Sequence, residues 1–309
     1  MSGFIHRPVM EAEVVAALKP GPEGLIVDGT LGGGGHAAAI LRASAPTGRL
    51  VGCDRDEMAV EAAATRLTEF GERCEIRRGN YSEMSEWIPA ESCDGVLMDL
   101  GVSSPQLDMA ERGFSFQQDG PLDMRQDQRQ RLTAATLVNE TAPDDLADIF
   151  WRLAGEAQSR RIARAIARER ETRPFSRTLQ LAGLIEKVAP RAGKKAHPAT
   201  KVFQALRMAV NDELGSLKRG LEGALTILKP GGRLAVITFH SVEDRVVKEF
   251  GQRLSRDYEI DGEVDVPELR RPRPARLRWV SRKAILPSAE ELKENPRARS
   301  AQCRVMEKL

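Results

Sequence analysis

The chain has 309 residues, with 47 Lys and Arg against 45 Asp and Glu, a formal net charge of +2 and a hydrophobic content of 41%. It is long and apolar enough to bury its own core, which excludes disordered, collagen-like and coiled-coil classes. The small net charge is a cancellation. Residues 155–210 carry 13 basic against 4 acidic side chains and residues 266–309 carry 12 against 5, whereas residues 1–154 carry 14 against 25 and residues 211–265 carry 8 against 11.

In chain order, VMEAEVVAAL (9–18) has the spacing of a short amphipathic helix. GLIVDGT follows as a compact apolar run ended by Asp28-Gly29, the pattern of a buried strand entering a turn. Residues 36–45 predict a helix, RLVGCD (49–54) a second strand and residues 57–70 another helix. CEIRRG (74–79) and CDGVLMDL (93–100) are the third and fourth strands. This alternation predicts a parallel sheet of strand-helix-strand units. It stops at residues 101–131, which read as a long ordered loop, and residues 133–190 carry only helical signals, with Asp144 and Asp145 placed to cap LADIFWRLA. Residues 201–228 read as one long helical stretch, LKPGGRLAVITFH (228–240) as a turn and fifth strand, and residues 241–254 as a helix. RLRWVSRKAIL and AQCRVMEKL are expected to pair as final antiparallel strands.

No apolar run approaches the ~18 residues of a membrane span. The N-terminus lacks a signal-peptide pattern, and Cys53, Cys74, Cys93 and Cys303 form no CxxC pair or His-Cys cluster. A cytoplasmic protein without a metal site or disulfide frame is expected.

Three motifs carry the chemistry. The first, DGTLGGGGH (Asp28 to His36), lies between a strand and a helix, where glycines let the backbone turn sharply and approach a ligand. No Gly-Lys-Ser/Thr follows it, so a phosphate loop is disfavoured. The second is Asp54 at the end of the second strand, 20 residues after Gly34, where a carboxylate accepts hydrogen bonds from ribose hydroxyls. Asp54 and Asp56 are also competing candidates to cap the following helix. The third is Asp99 at the end of the fourth strand, either a site carboxylate or a turn former, followed by Ser103, Ser104 and Gln106. With LKPGGRL before the fifth strand, the pattern resembles the Rossmann-like class I S-adenosylmethionine-dependent methyltransferases. That resemblance implies an α/β fold with a seven-stranded mixed sheet and a reversed final hairpin.

Longer blocks narrow the resemblance. HRPVM (6–10), DLGVSSPQLD with ERGFSFQQDGPLDMR (99–125), HPATKVFQALRMAVNDEL (197–214), TFHSVEDRVVK (238–248) and ENPRARSA (294–301) are similar to those of the MraW-type ribosomal RNA small subunit methyltransferase H family. The resemblance implies N4-methylation of one cytidine in the decoding region of 16S ribosomal RNA, with S-adenosyl-L-methionine as cofactor and 16S RNA or the small subunit as partner. It further implies a cofactor-binding domain of residues 1–112 and 211–309 and a helical insertion of residues 113–210 for substrate RNA. Gly34, Gly35 and His36 would contact the cofactor, Asp54 the ribose and Tyr81 the adenine region, with Asp99 and Gln106 finishing the pocket. On its own residues, Tyr81 reads equally as a core aromatic.

One departure matters. Many amine methyltransferases place Asn/Asp-Pro-Pro-aromatic after the fourth strand; here the position reads Asp99-Leu100-Gly101-Val102, without the aromatic platform for a flipped base. Asp99 is the candidate proton acceptor, and His240 and Ser241 fall on the same edge, where they also read as a satisfied histidine and a helix cap. Phe114 and Phe116 either stack on the base or pin the loop, and His6 and His197 are candidates for substrate contact. Arg160, Arg161, Arg164, Arg168, Lys194, Lys195 and Lys201 offer phosphate contacts or a solvated helix face. Two rival readings stay open: a methyltransferase acting on DNA cytosine or protein glutamine, and a non-enzymatic RNA-binding assembly factor.

Overall fold

The computed structural model describes residues 8–190, 197–262 and 264–309. A helix, α1 (Glu11–Leu18), precedes the alternation β1 (Leu25–Asp28), α2 (Gly35–Ala43), β2 (Arg49–Asp54), α3 (Glu57–Arg66), β3 (Cys74–Arg78), α4 (Met84–Trp87) and β4 (Cys93–Asp99). The chain then forms the helices α5 (Ser104–Asp108), α6 (Ala134–Glu140), α7 (Pro143–Ala154), α8 (Ser159–Arg170), α9 (Thr178–Val188) and α10 (Thr200–Val210). It returns through α11 (Glu213–Ile227), β5 (Leu228–Thr238), α12 (Ser241–Ser255), β6 (Tyr258–Ile260), β7 (Arg270–Pro272), β8 (Leu277–Trp279), α13 (Ala289–Glu294) and β9 (Gln302–Lys308).

Two compact units result: residues 1–101 with 214–309, and residues 102–213. In the first, seven strands form one sheet in the order β3-β2-β1-β4-β5-β9-β8, with β9 antiparallel to β5 and β8. The expected seven-stranded mixed sheet and final hairpin are therefore present. Strand side chains alternate between faces, and two apolar clusters divide accordingly: Val27, Val51, Val96, Met98 and Val236 in one, Ile26, Leu50, Leu97, Ala235 and Ile237 in the other. The cysteines are free, and burial pushes the thiols of Cys93 and Cys303 up to about 12, as suits packing residues.

The second unit has its own core, built on Phe150, Ile162, Ile166, Phe175, Leu181, Ile185 and Leu206. Val102 and Leu107 pack against it, so the segment after Gly101 clusters with the helices rather than with the sheet. The long loop is ordered as expected but contains α5 and a turn of 3-10 helix at Ala110–Arg112. Its chain is locked: Gly120 N–H donates to Thr178 Oγ1 at 3.0 Å, and Leu122 N–H donates to the Ser176 carbonyl at 2.9 Å.

Three local expectations are corrected. The stretch 201–228 is not one helix: Asp212 takes φ 45°, and the preceding Asn211 turns its side chain to the Met124 carbonyl and the Gln126 N–H. Asp144 and Asp145 do not cap α7. They lie in its first turn after Pro143, where carboxylates favour the positive end of the helix dipole. LKPGG belongs to β5, whose pairing with β4 shifts register between Cys93 and Gly95. Among the described residues, no helix is long and apolar enough to cross a membrane.

Candidate active site

The carboxyl ends of parallel strands are where open α/β sheets bind ligands, and the sheet unit gathers its polar side chains there. β1 ends in Asp28, which is fully buried between β2 and β4. The glycine loop then turns through Gly32 (φ 50°) and Gly34 (φ 77°), a backbone that β-carbon-bearing residues rarely adopt. Gly34 N–H donates to the Leu31 carbonyl at 2.8 Å, and α2 begins at Gly35 with His36 in its first turn. Thr30 ties the loop to β4: its Oγ1 accepts the Asp99 backbone N–H at 2.6 Å.

These constraints bring His36 to Asp99. Nε2 of the buried imidazole lies 3.5 Å from Asp99 Oδ2, a charge contact longer than a good hydrogen bond. Asp28 Oδ1 accepts the Thr30 N–H at 3.1 Å, while Asp28 Oδ2, both His36 nitrogens and Asp99 Oδ1 are buried with no hydrogen-bond partner. Burial pushes the Asp28 carboxyl up to about 6, with Asp99 and Asp54 adding to the rise and His36 and the Thr30 N–H opposing it. Burial disfavours the His36 imidazolium, but contact with Asp99 and the fields of Asp99, Asp28 and Glu11 outweigh that and hold its pKa above the ordinary value.

Asp54 completes the edge. Its Oδ2 accepts the Gly32 N–H at 2.9 Å and its Oδ1 the Asp56 N–H at 2.9 Å, so the carboxylate braces the glycine loop. Burial raises its pKa, opposed by those two N–H bonds. The helix cap is Asp56, whose side chain accepts the Met58 N–H; the capping alternative for Asp54 is thereby answered. Tyr81 is nine-tenths buried in the sheet core, with its side chain close against Gly29 and Gly220.

At the end of β5, His240, not Ser241, caps α12. Its Nδ1 accepts the Glu243 N–H at 3.3 Å, while Glu243 Oε2 accepts the N–H groups of Phe239 (2.9 Å) and His240 (3.3 Å).

The remaining candidates fall in the helical unit. Gln106 is buried and closes a capping box with Ser103, its Oε1 accepting the Ser103 N–H at 3.0 Å. Phe114 is only 6% exposed within the helical core, with the Arg112 guanidinium 5.8 Å from its ring; it pins the loop instead of offering a face to a base. Phe116 is partly exposed, edge-on to Phe203 at 4.8 Å and tilted against His197 at 4.7 Å. His197 Nδ1 accepts the Ala199 N–H. Arg160, Arg161, Arg164 and Arg168 are exposed on α8, opposite the buried Ile162 and Ile166, and Lys201 Nζ donates to the Gly155 carbonyl at 2.8 Å. His6, Lys194 and Lys195 lie outside the described residues.

Buried polar atoms in proteins nearly always find partners. The partnerless atoms of Asp28, His36 and Asp99, beside the glycine loop and the Asp54 carboxylate, fit a cationic, hydroxyl-bearing molecule such as a sulfonium nucleoside. Sequence reasoning missed Asp28 as an individual site residue; its place at the carboxyl end of a buried strand, heading the glycine loop, was the available signal.

The model of the MraW methylase family matches residues 3–309. The chain is 50% identical to the ribosomal RNA small subunit methyltransferase H of Geobacter sulfurreducens, over 99% of each chain. It is 47% identical to the protein of the same name from Symbiobacterium thermophilum, over 99% of this chain and 97% of that one. Among solved structures, an rRNA methylase from Streptococcus thermophilus matches over 99% of each chain, with 12% identity and a TM-score of 0.44.

Proposed function

The chain belongs to the MraW methylase family, and from that premise we propose that it transfers a methyl group from S-adenosyl-L-methionine to the exocyclic N4 amine of one cytidine in the decoding region of 16S ribosomal RNA. The observation that carries this reading is the meeting of His36 and Asp99 beside the glycine loop, with Asp28 behind them and Asp54 on the loop's other side.

When bound, the sulfonium supplies a methyl group already activated by positive charge. The protein's task is therefore mainly placement, which holds the amine in line for transfer. The Gly34-Gly35-His36 backbone and Asp54 hold the cofactor, Asp54 accepting from the ribose hydroxyls, with Tyr81 at the adenine region. Asp99 Oδ1, partnerless in the protein, accepts a hydrogen bond from the cytidine amine. That bond localises the nitrogen lone pair, and the same oxygen takes the proton that the amine loses. His36, drawn to Asp99 Oδ2, orients the carboxylate so that Oδ1 faces the substrate.

The target base has to leave its stack to reach such a pocket. Residues 113–210 engage the RNA around it, with the exposed Arg160, Arg161, Arg164 and Lys201 meeting phosphates and Phe116 and His197 forming an aromatic contact. The sheet domain holds the cofactor, and the insert, which carries the basic run of residues 155–210, meets the RNA in the cytoplasm. Incubation with methyl-labelled cofactor and separate small-subunit RNA, DNA and protein tests the assignment. Label should enter RNA, and transfer only to DNA or protein would overturn it.

A further inference from the structure

The sequence after β4 lacks an aromatic side chain, and position 101 is a glycine. Gly101 takes φ 107°, and a β-carbon added there would stand 3.4 Å from Phe239 Cδ2. The Phe239 ring thus occupies the space that a side chain at position 101 would enter. It arrives from the neighbouring strand: Asp99 pairs with Ile237 in the parallel β4–β5 register, and Leu100 N–H donates to the Ile237 carbonyl at 3.0 Å.

Three features make this ring a built part of the edge. First, it is partly exposed, and it packs on the apolar cluster that contains Leu97, Ile237 and the α2 residues Ala37 and Leu41. That is the face of the sheet on which α2 brings His36 to Asp99. Second, its backbone is held by the buried Glu243 carboxylate, which accepts its N–H at 2.9 Å. Third, it lies just past the carboxyl end of β5, beside β4, at the edge where the amine must meet Asp99.

We infer that Phe239 is the stacking platform for the flipped target base, supplying from β5 the aromatic face that is missing after β4. The inference rests on the cytidine reading above and adds the residue that positions the ring of that base. Phe239 stands two residues beyond Ile237, the register partner of Asp99, so a base laid on its ring lies at the strand ends beside that carboxylate. Stacking is indifferent to which base is present, so the ring contributes residence and orientation, and the hydrogen bond at Asp99 contributes the choice of amine.

The test compares Phe239→Leu, which keeps apolar packing without an aromatic face, with Phe239→Tyr, which keeps the face. Both variants are assayed by methyl transfer to small ribosomal subunits, with cofactor affinity measured separately and the wild-type product identified by nucleoside mass spectrometry. For Phe239→Leu the expected loss is about 5- to 150-fold in kcat/KM for RNA, the equivalent of one lost base–aromatic stack. Its cofactor affinity should change less than about twofold, and Phe239→Tyr should restore most of the transfer. Wild-type rates in Phe239→Leu, or a parallel loss of cofactor affinity, would overturn the platform while leaving the cytidine reading standing. A wild-type product other than N4-methylcytidine would overturn that reading and the platform with it.

Discussion

His36 Nε2 stands 3.5 Å from Asp99 Oδ2, joining the first turn of α2 to the end of β4 across the strand that carries the glycine loop. The contact brings a cation-forming ring to a carboxylate whose other oxygen is left without a partner. Asp99→Asn keeps the shape and removes the charge. Methyl transfer in single-turnover assays should fall by about 10²–10⁴-fold, the usual contribution of a positioned acid or base, while cofactor affinity stays within roughly an order of magnitude. Near-normal turnover would remove Asp99 from proton transfer.

Asp54 braces Gly32, and in the proposed site the same carboxylate accepts from the ribose hydroxyls. Asp54→Ala should weaken S-adenosylmethionine binding by at least about tenfold in calorimetry, since hydrogen bonds to a charged group contribute ~1.5–3 kcal/mol. Unchanged affinity would place the ribose elsewhere.

Asp28 gives the protein an unusual pH dependence. Its folded pKa, about 6, is above the ordinary 3.8, so the folded state holds the proton more tightly than the unfolded chain. The stability this contributes is fully present below about pH 4 and is lost as pH rises through about 6. His36, also raised, acts in the same sense at higher pH: its contribution is present below the ordinary histidine value and lost as pH climbs through its own. Asp28→Asn cannot ionise. Between pH 4 and pH 7 its unfolding free energy should gain on the wild type by up to ~3 kcal/mol, read from denaturant titrations at each pH. Parallel curves for the two proteins would contradict the buried, partnerless carboxyl.

The exposed arginines of α8 make a prediction that separates phosphate contacts from a solvated face. Replacing Arg160, Arg161 and Arg164 by alanine should reduce the slope of log affinity for RNA against log salt by about 2. Cofactor binding and the melting temperature should be nearly unchanged, because the three side chains are exposed. An unaltered slope would return them to the solvated face.

The locked loop carries a stability prediction. A β-carbon at Gly120 would sit 1.7 Å from the Ala110 carbonyl oxygen, and at Gly113 (φ 73°) 2.1 Å from that of Pro121. Gly120→Ala should cost at least roughly 1–3 kcal/mol by overpacking, seen as a lower denaturation midpoint.

The sheet was legible because its strands are short apolar runs bounded by Gly and Asp, and RLVGCD and CDGVLMD appear as β2 and β4 with little adjustment. The glycine loop, Asp54 and Asp99 were legible for the same reason: each ends a strand. What stayed hidden depends on which segments meet in space. Nothing in the spacing says that Asp28 is sealed between β2 and β4, that Asn211 breaks a long helix by reaching Met124, or that Glu243 holds the Phe239 backbone. Phe114 and Phe116 are two residues apart in one motif, yet one ring is core and the other is partly exposed; the separation follows from the loop's packing, which no local pattern encodes.

The most direct measurement is nucleoside mass spectrometry of 16S ribosomal RNA from cells lacking this protein, alongside the same cells supplied with wild-type protein or with Asp54→Ala. N4-methylated cytidine should be reduced in the deficient cells, restored by the wild type and not restored by Asp54→Ala. A full complement of N4-methylated cytidine without the protein, or restoration by Asp54→Ala, would contradict the assignment.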